Sequence, residues 1–221
     1  MADSFHVIYF LEDRAQERFI CALVERVFRE TCGPAARIHH DPRAVRHGSR
    51  ALVELRAFFQ ELRHGAREGG RITTPDVILV AIDSNCKGHR ERAREIRKSL
   101  RLDDPFRDRV VIAAPNPHIE RWYLADEAAL RRAVGLRKGV TIPPYKCEKD
   151  YYKNALRSAL QSEGIQVLRG GVEFAEDIVK EMGHFERLVK ADKGFGDFLA
   201  ALRQAMREWK SRIESNATRR P

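Results

Sequence analysis

Residues 75–82, PDVILVAI, form the feature that most restricts how this chain can fold: a continuous apolar run that stops abruptly at Asp83. A run of that length bounded by a proline and a polar turn is the pattern of a β-strand covered on both faces. Such strands occur almost only where helices cover both sides of a parallel sheet. Two further runs repeat the pattern, HVIYFL at 6–11 and RVVIAA at 109–114. Between them the apolar spacing changes to threes and fours. Phe19, Ile20, Leu23, Val24, Val27 and Phe28 define a helix that stops at Gly33-Pro34, and Leu52, Leu55, Phe59 and Leu62 define one over 49–64. A charged helix is expected over 89–100 and another over 118–126, with a short strand at 36–40, a polar loop at 41–48 and a break at Gly69-Gly70.

Strand and helix therefore alternate. The expected fold is α/β, a mostly parallel sheet with flanking helices over residues 1–135, followed by a helical C-terminal extension over 136–221 packed on it. That second part shows helical spacing at about 148–162, 172–182 and 195–213, with a polar, frayed tail SNATRRP. Its last helix carries Phe195, Phe198, Leu202, Met206, Trp209 and Ile213 on one long face, which suits core packing. Neither an internal repeat nor a low-complexity segment is present in the 221 residues.

With 43% hydrophobic and 33% charged residues the chain can bury a core. No run approaches the ~18 apolar residues of a membrane span, and the opening MADSFHVIYFLED lacks a basic segment with a cleavage site, so a cytoplasmic protein is expected. Cys21, Cys32, Cys86 and Cys147 make no CxxC pair, which argues against a zinc knuckle and a disulfide scaffold and suits a reducing compartment. The net charge of +9 comes with 31 Arg and 10 Lys. Arginine suits bidentate phosphate recognition, so nucleic acid is a candidate partner, although a coding bias gives the same composition.

In open parallel sheets ligands bind beyond the carboxyl ends of the strands. Glu12 follows the first apolar run and Asp83 follows 75–82, while Glu120 and Asp126 lie on the helix after 109–114. Converging carboxylates suit Mg²⁺ or Mn²⁺ and hence phosphodiester chemistry. Each acid singly is better explained as a helix cap or surface ion pair, but Glu12 and Asp83 together are more than that, since each directly ends an apolar strand and precedes a helix. The helix after Asp83 is basic: between Ser84 and Arg101 seven cations, among them Lys87, Arg90, Arg94 and Arg97, face only Glu91 and Glu95. A phosphate backbone can lie along such a helix, as can solvent. His39, His40 and His47 have no metal-ligand spacing and read as surface histidines, whereas His118 is an acid–base candidate beside Glu120. Tyr145, Lys146, Tyr151, Tyr152 and Lys153 mix rings with cations in a manner suited either to stacking on single-stranded bases or to helix packing. Gly164–Gly171 is a turn, because no GK[ST] follows it.

The segments FLEDRAQERFI, VILVAIDSN and VVIAAPNPHIERWYLAD together resemble the TOPRIM fold shared by topoisomerases, primases and the OLD-type nucleases of bacterial defence. The likeness covers roughly the first 130 residues. It implies a TOPRIM/Rossmann-like sheet, a Mg²⁺-dependent (or Mn²⁺-dependent) nuclease acting on DNA or RNA in antiphage defence or DNA maintenance, and an ABC-type or related ATPase partner. On that resemblance Glu12 and Asp83 hold the metal and carry catalysis, with Glu120 in support. The family's DxD reads Asp83-Ser84-Asn85 here, so an amide stands where a second carboxylate is usual, and Asn85 is a supporting metal ligand through its amide oxygen. That change also suits a non-catalytic subunit that binds or regulates an ATPase, and the basic helix alone would suit a nucleic-acid adaptor. No Walker A motif is present, so ATP hydrolysis would be supplied by another chain. A homo-oligomer is compatible with all three readings.

Overall fold

The computed structural model describes residues 4–44, 50–67 and 75–218. Four strands form one sheet in the order β2-β1-β3-β4, and every neighbouring pair is parallel. They are β1 (Ser4–Leu11), β2 (Arg37–Ala44), β3 (Val77–Ala81) and β4 (Val110–Ala113). The fold is α/β, with helices on both faces of the sheet. The chain leaves β1 toward β2 on one side and returns past β1 to β3 on the other. The carboxyl ends of β1 and β3, paired as Leu11 with Ala81, therefore flank the crevice where the winding direction reverses.

Alternation along the strands sorts the core into two layers. Val7, Tyr9, Leu11, Val77, Leu79 and Ala81 point to one side and Ile8, Phe10, Ile78, Val80 and Ile82 to the other. The second layer is covered by α2 (Ala51–Arg67) and α3 (His89–Arg97) through Leu55, Phe59, Leu62 and Ile96. The first is covered by α1 (Arg14–Cys32), whose stripe from Phe19 to Phe28 is buried, and by the helices of the second half. Asp13 starts α1 by accepting the Gln16 N–H at 2.9 Å, and Gly33 ends it at φ 93°.

The second half contains α4 (Glu120–Leu124), α5 (Glu127–Val134), α6 (Tyr151–Gln161), α7 (Ala175–Glu181), α8 (Glu186–Ala191) and α9 (Lys193–Thr218). It shares the first layer's core. Trp209 of α9 meets Phe5 of β1 and Phe28 of α1 at ring-centroid distances of 5.5 and 5.6 Å. Trp122 of α4 packs edge-on against Phe195 at 4.9 Å. Asp192, 4% exposed, joins these pieces: it accepts the Trp122 indole N–H (2.9 Å), the Asn116 N–H (3.0 Å) and the Gly194 N–H (2.8 Å).

Several expectations need correction. The second strand runs beyond His40 through Asp41, Pro42 and Arg43, because parallel pairing with β1 continues to Ala44, and a proline is tolerated on an edge strand. The helix expected over 118–126 stops at Leu124, and Asp126 instead caps a separate α5 through the Ala129 N–H while pairing with Arg187 at 2.8 Å. Residues 215–218 of the polar tail belong to α9, and 219–221 lie outside the described residues. Cys86 and Cys147 form a disulfide with Cα atoms 5.7 Å apart, so the chain does not carry four free thiols. Cys21 and Cys32 are free, and burial pushes the Cys21 thiol up to about 12, which keeps it unreactive. The break at Gly69-Gly70, His47 and residues 45–48 of the polar loop lie outside the described residues. No described helix is long and apolar enough to cross a membrane.

Candidate active site

Glu12 and Asp83 are each carried one or two residues past a strand end, and neighbouring strands bring them together. The Asp83 N–H donates to Glu12 Oε2 at 2.8 Å. Gln16, in the first turn of α1 and fully buried, ties the pair: its Oε1 accepts the Glu12 N–H (2.9 Å) and its Nε2 donates to Asp83 Oδ1 (2.8 Å). His118 Nδ1 lies 3.2 Å from the other carboxylate oxygen of Asp83. The Asp83 carbonyl accepts from Arg92 Nε at 2.8 Å. Arg92 is 6% exposed and also reaches Glu95 (2.7 Å), so it braces the turn from beneath and does not face solvent.

The segment 114–118 lies alongside this turn. Ser84 donates through its N–H to the Pro115 carbonyl (2.8 Å) and through its hydroxyl to the Ala114 carbonyl (3.1 Å), and the Asn85 N–H reaches the Pro117 carbonyl (3.1 Å). The Asn116-Pro117 peptide is cis. Positive φ at Asn85 (44°) and Cys86 (73°) turns the chain outward before α3.

The electrostatics identify an acidic cluster. Burial, with the charge of Asp83 next, pushes the Glu12 carboxyl up to about 7. The same two causes in the same order push Glu120, the first residue of α4, up to about 7. Asp83 is itself raised by burial against the opposing hydrogen bonds from His118 and Gln16, and the bond to Asp83 raises His118. Glu12 and Glu120 thus each feel the charge of Asp83.

The other sequence candidates separate. The Asn85 side chain is exposed and its amide nitrogen points back to the Asp83 carbonyl at 3.4 Å. Lys87 is held by Glu95 at 2.7 Å. Arg90, Arg94 and Arg97 recur at helical spacing on the exposed side of α3, opposite buried Arg92 and Ile96. None of the three is in an ion pair among the described residues. Gln16 and Arg92 are site residues that sequence reasoning missed; a glutamine inside a helix and one arginine among seven cations carry no signal of their own.

Among the described residues no group of three or more His, Cys, Asp or Glu side chains is gathered as a ready metal cage. The donor set nonetheless fits Mg²⁺, which takes one or two carboxylates and completes its shell with water and substrate phosphate. Glu12 and Asp83 would be those two, all-oxygen and held next to each other by Gln16. No family model, no curated protein and no solved structure matches this chain.

Proposed function

We propose that the chain is a TOPRIM-like, Mg²⁺- or Mn²⁺-dependent nuclease that hydrolyses phosphodiesters of DNA or RNA, working in the cytoplasm with an ABC-type or related ATPase in antiphage defence or DNA maintenance. The observation that carries this reading is the clamped pair Glu12 and Asp83 at the reversal point of a parallel sheet, with Glu120 raised by burial and then by the charge of Asp83. Asp83 is the principal ligand, Glu12 a ligand that also exchanges protons near neutral pH, and Glu120 a supporting group. When bound, the cation supplies Lewis-acid stabilisation of the phosphate oxygens. Arg90, Arg94 and Arg97 lie outside this centre as a stripe for the phosphate backbone, whereas Lys87 must first give up Glu95 to touch phosphate.

One observation favours a second reading, a non-catalytic subunit that binds an ATPase: both oxygens of Asp83 are already engaged, by Gln16 and His118, and Asn85 offers no carboxylate. Cleavage of plasmid, single-stranded DNA and RNA by wild type, Glu12→Gln and Asp83→Asn in Mg²⁺, Mn²⁺ or EDTA separates the two. Cleavage lost in EDTA and in both variants supports the nuclease. A wild type that cuts nothing, alone or with its ATPase, supports the subunit.

A further inference from the structure

The segment between α5 and α6 is a long, exposed stretch without regular structure, yet it is fixed at three points beside the site. Cys147 is bonded to Cys86, three residues after Asp83. The Tyr152 hydroxyl accepts the Lys146 N–H (3.0 Å) and donates to the Pro144 carbonyl (3.3 Å). The Tyr145 hydroxyl donates to Asn116 Oδ1 (3.3 Å), two residues before His118. Arg121, held by the Asn116 and Ala191 carbonyls at 2.7 and 2.6 Å, stands 5.0 Å from the centre of the Tyr145 ring.

These restraints hold an aromatic ring against Asn116, on the segment that leads to His118, while leaving it 52% exposed. The Tyr145 hydroxyl is engaged by Asn116 and its ring is in contact with the Arg121 guanidinium, and the rest of the ring is open to solvent. The Asp83 carboxylate is recessed, its side chain being 11% exposed. The phosphates of a duplex ride on a stiff rod with bases turned inward, so they cannot enter a recess and offer a base to the rim together. A single strand bends, can bring a phosphate down to the acids and leaves a base free for a ring, and base–aromatic stacking is tolerant of sequence.

We infer that this site takes single-stranded nucleic acid, with Tyr145 as the stacking platform for the base beside the bound phosphate; the inference rests on the nuclease reading and names its substrate class. Arg121 sets the plane of the ring, and the bonds from Tyr145 to Asn116 and from Tyr152 to Lys146 and Pro144 hold the segment that carries it. Tyr145 is a specificity residue, not a catalytic one.

The test is fluorescence anisotropy with labelled 15-mers of oligo(dT) and oligo(U) and a hairpin duplex, in Ca²⁺ buffer, with a gel confirming intact probe. Wild type binds the single strands more tightly than the duplex. Tyr145→Ser weakens single-strand binding roughly tenfold without changing duplex binding, while Tyr145→Phe, which keeps the ring, stays within about twofold of wild type. An unchanged melting temperature in both variants excludes misfolding as the cause. Single-strand binding that Tyr145→Ser leaves intact, or an equal loss on duplex, overturns the inference and leaves the nuclease reading standing. A wild type that binds none of the three probes at low salt overturns both.

Discussion

Asp192→Asn tests how far the site depends on the helical half. The Asp192 carboxylate is buried and accepts three N–H groups, two on Oδ2 from Trp122 and Asn116 and one on Oδ1 from Gly194. Asparagine has the same shape but one acceptor oxygen. The least costly orientation keeps that oxygen on Trp122 and Asn116 and turns the amide toward the Gly194 N–H, where donor meets donor. An orphaned buried donor costs about 1–3 kcal/mol, and two hydrogen bonds lose the strengthening of a charged acceptor, so the total is about 3 kcal/mol. For a chain of this size that lowers the melting temperature by roughly 6–12 °C. Near-UV circular dichroism, which reads Trp122 and Trp209, follows the transition at neutral pH. Because Asn116 leads into His118, cleavage should fall too, at temperatures where the variant is still folded. A change of less than about 1 °C, far below what a single orphaned donor costs, would refute the account of Asp192 as a strut.

Glycine positions give a matched pair. A methyl group on Gly171 would lie 2.6 Å from Leu160 Cδ1 at a backbone φ of 96°, so Gly171→Ala costs about 2 kcal/mol or more in urea unfolding, whereas Gly183→Ala, which meets nothing within 4 Å, is neutral. Gln16→Leu leaves the Glu12 N–H and one oxygen of Asp83 without their partner, costing about 1–3 kcal/mol, and should raise the Mg²⁺ concentration needed for half-maximal cleavage. Glu12 and Glu120 keep their protons in the fold up to about pH 7, but in the unfolded chain only up to the ordinary 4.5. Their contribution to metal-free stability is therefore full below pH 4.5 and lost as pH rises through about 7. In EDTA the difference in urea midpoint between pH 5 and pH 8 should shrink in the Glu12→Gln/Glu120→Gln double variant, and Mg²⁺ should stabilise wild type more at pH 8 than at pH 5. Equal pH dependence of the two proteins would remove the acidic cluster from the account.

The parts of this fold that local chemistry specifies were readable from the chain. The runs ending at Glu12 and Asp83 are apolar enough to be strands on any reading, and two acids at the ends of parallel strands meet if those strands are neighbours. What could not be read is what depends on a distant partner. Asp41, Pro42 and Arg43 look like a loop until β1 supplies the pairing. Arg92 looks like its neighbours on α3 until the Asp83 carbonyl is found above it. Cys86 and Cys147 are 61 residues apart, a spacing that has no signature. Asp126 was as plausible a ligand as Glu120 by position, and only the cap to Ala129 and the pair with Arg187 settle its role.

The seat of Trp209 against Phe5 and Phe28 bears on how the chain is made. Those two rings leave the ribosome before the indole that covers them, which is encoded about two hundred positions later. At about 5–20 residues per second that interval is roughly 10–40 s, during which Phe5 of the first strand and Phe28 of the first helix lack the ring that covers them. Contacts so distant in sequence close slowly. The nascent chain therefore offers a chaperone a defined apolar surface that vanishes only when the last helix docks, and truncations that remove α9 should appear in the insoluble fraction even though every strand of the sheet is present.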